Sequence, residues 1–126
     1  MHYIPVNYWL DIILNKMIFV SAPYYHFEKD IIEKRVAIVS KYCGKLLNDG
    51  IIAFSPVCFG HQIVKYCSLP NDFNYWDKFS ITLLSKCKEM HVLQIDGWEK
   101  SKGVKAEIEY SIKKKIKIKY IAKLSI

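Results

Sequence analysis

This sequence is poor in the features that announce most chemistries. No apolar run approaches the roughly 20 residues that a membrane-spanning helix needs, so no membrane partner is expected. The apolar segment Tyr8–Leu14 lacks a preceding basic region and a small-residue cleavage site, which argues against a secretory signal and for the cytoplasm. The four cysteines, Cys43, Cys58, Cys67 and Cys87, stand 15, 9 and 20 positions apart. With no Cys-x-x-Cys pair among them, neither zinc nor redox work is indicated, and free, mostly buried thiols are expected. A P-loop, a Ser-His-Asp array, a metal cluster, an internal repeat and a low-complexity tract are all missing, so no metal or cofactor is expected.

Acidic residues are scarce as well: 12 Asp and Glu against 19 Lys and Arg leave a formal net charge of +7. From Ser101 onward eight Lys meet two Glu, which supplies six of those seven charges. A basic tail can attract nucleic acid, but Lys113-Lys114-Lys115-Ile116-Lys117-Ile118-Lys119 alternates as a strand with one solvated face does. Only Tyr110 and Tyr120 lie nearby as aromatics and no nucleic-acid module is recognisable, so the solvated face is the reading taken here. The charge can still help recruit a phosphorylated small molecule.

What is present is an ordinary globular composition, 52% hydrophobic and 25% charged over 126 residues, enough for one domain with a sheet covered by helices. Residues 1–16, interrupted by Pro5 and Asn7, read as an N-terminal extension, a short docking helix or a leader. The domain is expected over 17–126. Met17-Ile18-Phe19-Val20-Ser21 reads as a first buried strand running into the loop Ala22-Pro23-Tyr24-Tyr25. From about Glu28 to Asn48 the spacing of Ile32, Val36, Val39, Cys43 and Leu46 predicts a helix, stopped by Asp49-Gly50. A second strand, Ile51 to Ser55, ends at Pro56. The segment Val57 to Asn74, with Gly60, His61, Pro70 and Asn71, looks irregular, and a loop of that length is more often a functional wall than a mere connection. Tyr75 to Lys88 reads as a helix, Met90 to Ile95 as a third strand, and Ile116 to Ile121 as a further one. This alternation predicts an α/β domain on a parallel sheet of about four to five strands, with right-handed crossovers and helices on both faces.

The stretch from Gly97 to Glu109 links the third strand to a helix marked by Val104, Ile108 and Ile112. In an open parallel sheet such a loop lies beyond the carboxyl end of a strand, where ligands bind, and the free N–H groups of the helix start favour an anion. Glu107 falls in the first two turns of that helix. On physics alone it is either a solvated acid complementing the helix N-terminus or a carboxylate facing a ligand.

Laid out in order, these segments resemble the nucleoside 2-deoxyribosyltransferase superfamily, and more narrowly its small domains sharing a Gly-Trp-x-x-Ser-x-Gly-Val-x-x-Glu segment. The resemblance runs from Met17 to Tyr120. It rests on Ser21-Ala22-Pro23-Tyr24, Arg35, Phe54-Ser55-Pro56 with His61, Leu69-Pro70, Trp76, Leu83-Leu84-x-x-Cys87, Val92-Leu93 and Gly97-Trp98 through Glu107. It implies a flavodoxin-like, Rossmann-like three-layer α/β sandwich and chemistry at the N-glycosidic bond of a 2′-deoxynucleoside or deoxynucleoside 5′-monophosphate. The Glu of Gly-x-x-x-Glu, here Gly103 and Glu107, would attack the anomeric carbon, and the sugar would pass to another base or to water, the logic of retaining glycoside cleavage. It also implies a homo-oligomer whose neighbouring copies complete the pocket.

Two positions refine that expectation. Nucleoside transferases of the superfamily tend to carry Asp six residues before the Glu, whereas deoxynucleotide hydrolases carry Ser, here Ser101. A hydroxyl there accepts a phosphate without charge repulsion, while a plain helix cap remains the other reading. Where relatives carry an Asp that assists at the base, this chain has Ser80. Asp77, the candidate substitute, lies three positions earlier, rotated by roughly 60° and displaced about 4.5 Å along a helix. The alternative function is therefore a non-catalytic nucleotide-binding module. The expected site is Glu107 and Asp77 as catalytic groups, with Ser21, Pro23, Tyr24, His61, Trp98, Ser101 and Gly103 binding substrate.

Overall fold

The computed structural model describes residues 17–122. The proposed extension at residues 1–16 lies outside the described residues, as do the last four. Four parallel strands form one sheet: β1 (Ile18–Ser21), β2 (Ala53–Phe54), β3 (Glu89–Leu93) and β4 (Lys117–Ile121). Their order is β2-β1-β3-β4, with Ile18 opposite both Ala53 and Glu89, and Met90 opposite Ile118. Helices α1 (Lys29–Asn48), α2 (Pro56–Tyr66), α3 (Phe73–Leu84) and α4 (Lys102–Lys113) make the crossovers. This is the expected flavodoxin-like α/β arrangement.

Alternation along β1 sorts its side chains between two cores. Ile18, Val20 and Ala22 pack with Ile38, Val39 and Leu46 of α1. Phe19 turns to the opposite face, where Leu84 of α3 and Val104 of α4 meet Met90 and Val92. Phe19, Val20, Val92 and Leu93 are wholly buried, as strands covered on both faces require.

The chain leaves β1 toward β2 on one side and later returns to β3 on the other. The strand order therefore reverses beside β1, and the crevice beyond the carboxyl ends of β1 and β3 is where such sheets take their ligands.

Three expectations need correction. The segment from Val57 is a helix, α2, and only a short stretch before Asp72 is irregular. Ser55 caps that helix by accepting from Val57 N at 3.2 Å, and Pro56 occupies its first turn, where a missing N–H costs nothing. Glycine and the β-branched Ile63 and Val64 hid the helix from a propensity reading. The lysine-rich alternation is also not one strand. Lys113 ends α4, Lys115 turns the chain in the left-handed region at φ 58°, and β4 begins only at Lys117. Helix α3 starts two residues earlier than expected because the Asp72 side chain caps it, accepting from Tyr75 N at 2.9 Å.

Candidate functional site

A cavity of about 930 Å³ opens at the carboxyl ends of the strands, within the size range of small-molecule sites. All three crossovers contribute to its walls. The β1–α1 loop brings Pro23 and Tyr24, α2 brings Gly60 and His61, α3 brings Trp76, Asp77 and Ser80, and the loop after β3 with the start of α4 brings Ser101, Gly103 and Glu107.

Glu107 is 7% exposed although it stands on a helix otherwise rich in lysine. It occupies the same face of α4 as Val104 and Ser111, the buried stripe of the helix, so the turn geometry drives its side chain toward the sheet. There the fully buried Ser21, last residue of β1, donates its hydroxyl to Glu107 Oε1 at 2.6 Å. Burial pushes the Glu107 carboxyl up to about 8, the Ser21 hydrogen bond opposes that shift, and the charge of Asp77 across the cavity adds to it. A carboxyl in this state stands between acid and base near neutrality, which is the condition catalytic sites maintain.

A second chain of groups braces the opposite wall. Tyr24 Oη and His61 Nδ1 lie 2.9 Å apart, and His61 Nε2 meets Glu33 Oε1 at 3.0 Å. With the Nε2 proton directed at the carboxylate, Nδ1 is left to accept from the tyrosine hydroxyl. Burial, and secondarily Glu33, raises the Tyr24 phenol above its ordinary range, so it stays a neutral donor.

The loops themselves are fastened by Arg35. Its guanidinium donates to the carbonyls of Tyr25 at 2.8 Å and Tyr24 at 3.4 Å through Nη1, and to the Asp96 carbonyl at 3.0 Å through Nη2. One side chain of α1 thus ties the loop after β1 to the loop after β3. Burial lowers the Arg35 pKa and the charge of Asp96 works against that. Gly97, at φ 94°, lets the backbone pass so close that a Cβ there would sit 2.6 Å from Arg35 Nη2.

Most of the expected site residues are brought together. Pro23, Tyr24, His61, Asp77, Ser101, Gly103 and Glu107 line one cavity, and Ser21 reaches it through its bond to Glu107. Ser80 also lines it and is 8% exposed. Ser101 caps α4, its hydroxyl accepting from Val104 N at 3.2 Å, while its own O–H remains able to donate. Trp98 does not line the cavity. It lies in the single 3-10 turn Trp98–Lys100 and packs into the α3–α4 core, its ring 5.9 Å from that of Tyr120. The turn directs the indole toward the sheet edge, away from the ligand space.

Glu33 carried no assigned role in the sequence reading, and nothing in its context distinguishes it from other surface acids. Arg35 did carry a signal: it is the one arginine among 19 basic residues. Gathering three carbonyls needs the planar fork of a guanidinium, which lysine does not offer.

A family described as a domain of unknown function (DUF1937) matches residues 16–122. The chain belongs to that family. Its match begins beside β1 and ends just past β4, so it spans the sheet and every loop that lines the cavity. No curated protein matches the chain. Among the described residues no helix is long and apolar enough to cross a membrane, and no group of three His, Cys, Asp or Glu side chains is placed to hold a metal ion.

Proposed function

We propose that this protein cleaves or transfers at the N-glycosidic bond of a 2′-deoxynucleoside or deoxynucleoside 5′-monophosphate, with Glu107 as the nucleophile. The observation that carries this reading is a buried carboxyl, held by Ser21, on the floor of a cavity at the reversal point of a parallel sheet. An ionised Glu107 oxygen attacks the anomeric carbon, the bond to the base breaks, and a glycosyl ester forms. Water or a second base then displaces the carboxylate. The departing base needs a proton. Water supplies it, and Asp77, the second carboxyl lining the cavity, is charged when Glu107 attacks and can orient that water and relay its proton. Ser101 and the first-turn amides of α4, flanked by Lys100 and Lys102 on the cavity wall, suit a 5′-phosphate.

Free cysteines at all four positions suit the reducing cytoplasm as the site of action. Tyr25 and Phe27, 64% and 81% exposed beside the cavity, offer the apolar surface that a second copy of the chain would cover in a homo-oligomer.

Base release from deoxynucleosides and their 5′-monophosphates, followed by chromatography, tests the reading. Release that falls by about 10³-fold or more in Glu107→Ala supports it, by analogy with the loss of other covalent nucleophiles. Ser80 favours a second reading, a nucleotide-binding module without turnover, because a buried hydroxyl stands where the resembled enzymes place a carboxylate. Saturable nucleotide binding with no base released by the wild type, in either substrate class, would decide for the module.

A further inference from the structure

Behind the wall that carries His61, two of the four cysteines meet across the α1–α2 contact. Cys58 lies in the first turn of α2, three positions after its Ser55 cap. The Ser40 hydroxyl of α1 stands 3.3 Å from Cys58 Sγ, and Cys43, three positions further along α1, shares that face of the helix. Both thiols are half-buried against the same core cluster, and they interact directly with one another. Cys87, by contrast, is buried and far along the chain beyond α3, and Cys67 stands exposed after α2.

We propose that Cys58 and Cys43 are a peroxide-reactive thiol pair in which Cys58 is oxidised first and Cys43 closes a disulfide between α1 and α2. The environment assigns the order. Cys58 gathers a thiol, two hydroxyls and the positive end of a helix around its sulfur, the surroundings that favour a thiolate. The hydrogen bond from Cys43 lowers the Cys58 thiol to about 6 against the opposing effect of burial, with Ser40, Ser55 and then His61 contributing in the same direction as Cys43. Cys43 is held protonated by donating to Cys58, by burial and by the negative charge of its neighbour. Only the first sulfur is poised to attack.

The steps balance. The Cys58 thiolate attacks one oxygen of hydrogen peroxide, the O–O bond breaks, and the departing hydroxide takes up a proton as water, leaving a sulfenic acid. Cys43 then loses the partner that kept it protonated. Its sulfur attacks the Cys58 sulfur and expels hydroxide, which leaves as water with the Cys43 proton. Two thiols give up two electrons and one peroxide becomes two waters. The disulfide would lie one helical turn from His61, on the same two helices that the His61–Glu33 contact joins.

The test uses the full reduced chain and hydrogen peroxide. Titratable thiols should fall from four to two, with peptide mapping under non-reducing conditions recovering a Cys43–Cys58 link. Cys43→Ser should stop at a sulfenic acid on residue 58 that a dimedone probe captures, and Cys58→Ser should abolish the link. In the wild type, iodoacetamide labelling of Cys58 should change less than twofold between pH 7 and 8.5, whereas an ordinary thiol with a pKa near 8.5 speeds up roughly fifteenfold. Oxidation that starts at Cys67 and leaves residues 43 and 58 reduced would overturn the proposal. So would a Cys58 labelling rate that climbs with pH as an ordinary thiol's does. Neither readout depends on the nucleotide chemistry, so the pair stands or falls apart from it.

Discussion

At the scale of the residue, Glu107 contains an opposition. A nucleophile must be ionised, yet the burial that positions this carboxyl also keeps its proton on until about pH 8. If Glu107 attacks, kcat/KM for base release should climb nearly tenfold per pH unit below that value and level off above it, since this ratio reports the free enzyme. The neighbours then move the limb in opposite directions. Ser21→Ala removes the hydrogen bond that favours the charged form, so the rise should shift to higher pH. Asp77→Asn removes a like charge that disfavours it, so the rise should shift lower. Initial rates across pH 5 to 9.5 for the three proteins check both signs. Activity that falls as the pH passes 8 would instead make Glu107 the acid.

At the scale of the element, the site depends on two loops held in register by one helix. Arg35 reaches from α1 to carbonyls on both, and Gly97 provides the clearance. Gly97→Ala forces a Cβ into the left-handed region and within 2.6 Å of a guanidinium nitrogen already committed to Asp96 O. It should cost about 2 kcal/mol or more in urea denaturation. Gly103→Ala is the contrast. Its added Cβ would meet nothing nearer than Ser101 Oγ at 3.8 Å, so folding should be unharmed, while the methyl intrudes on the cavity wall and weakens ligand binding. These elements also show what a sequence can and cannot disclose. Strands β1 and β3 and helix α1 were legible because their periodicities are set by burial, and Glu107 was legible through its place after a strand. Helix α2 was not, since its stability comes from a cap and from packing Gly60 under the Trp76 ring, both of them contacts distant from local propensity. The role of Arg35 is tertiary for the same reason, as its acceptors lie 10, 11 and 61 positions away. Trp98 carries a similar ambiguity between capping the pocket and packing against the sheet, since a tryptophan beside a motif says nothing about which side of the loop it faces.

At the scale of the whole molecule, the same carboxyl sets a cost in stability. Below about pH 4.5, the ordinary value of Glu107, it is protonated folded or unfolded and burial carries no penalty. Between about 4.5 and 8 the unfolded chain releases this proton while the folded chain keeps it, so folding stability falls as the pH rises and then levels off above 8. The full difference is on the order of 5 kcal/mol, a large part of the 5–15 kcal/mol that typically holds a domain together. Glu107→Gln keeps the volume and the contact with Ser21 and removes the titration. It should therefore match the wild type at pH 4.5 and exceed it in thermal midpoint by more than about ten degrees at pH 8. His91 titrates in the opposite sense: burial holds its imidazole below the usual range, which costs stability as the pH drops below about 6.5. That contribution is common to both proteins and cancels in the difference. A Gln variant less stable than the wild type at both pH values would mean that Glu107 serves the fold. A variant stabilised at pH 8 alone would mean that the fold carries Glu107 at a loss, as expected of a group retained for chemistry.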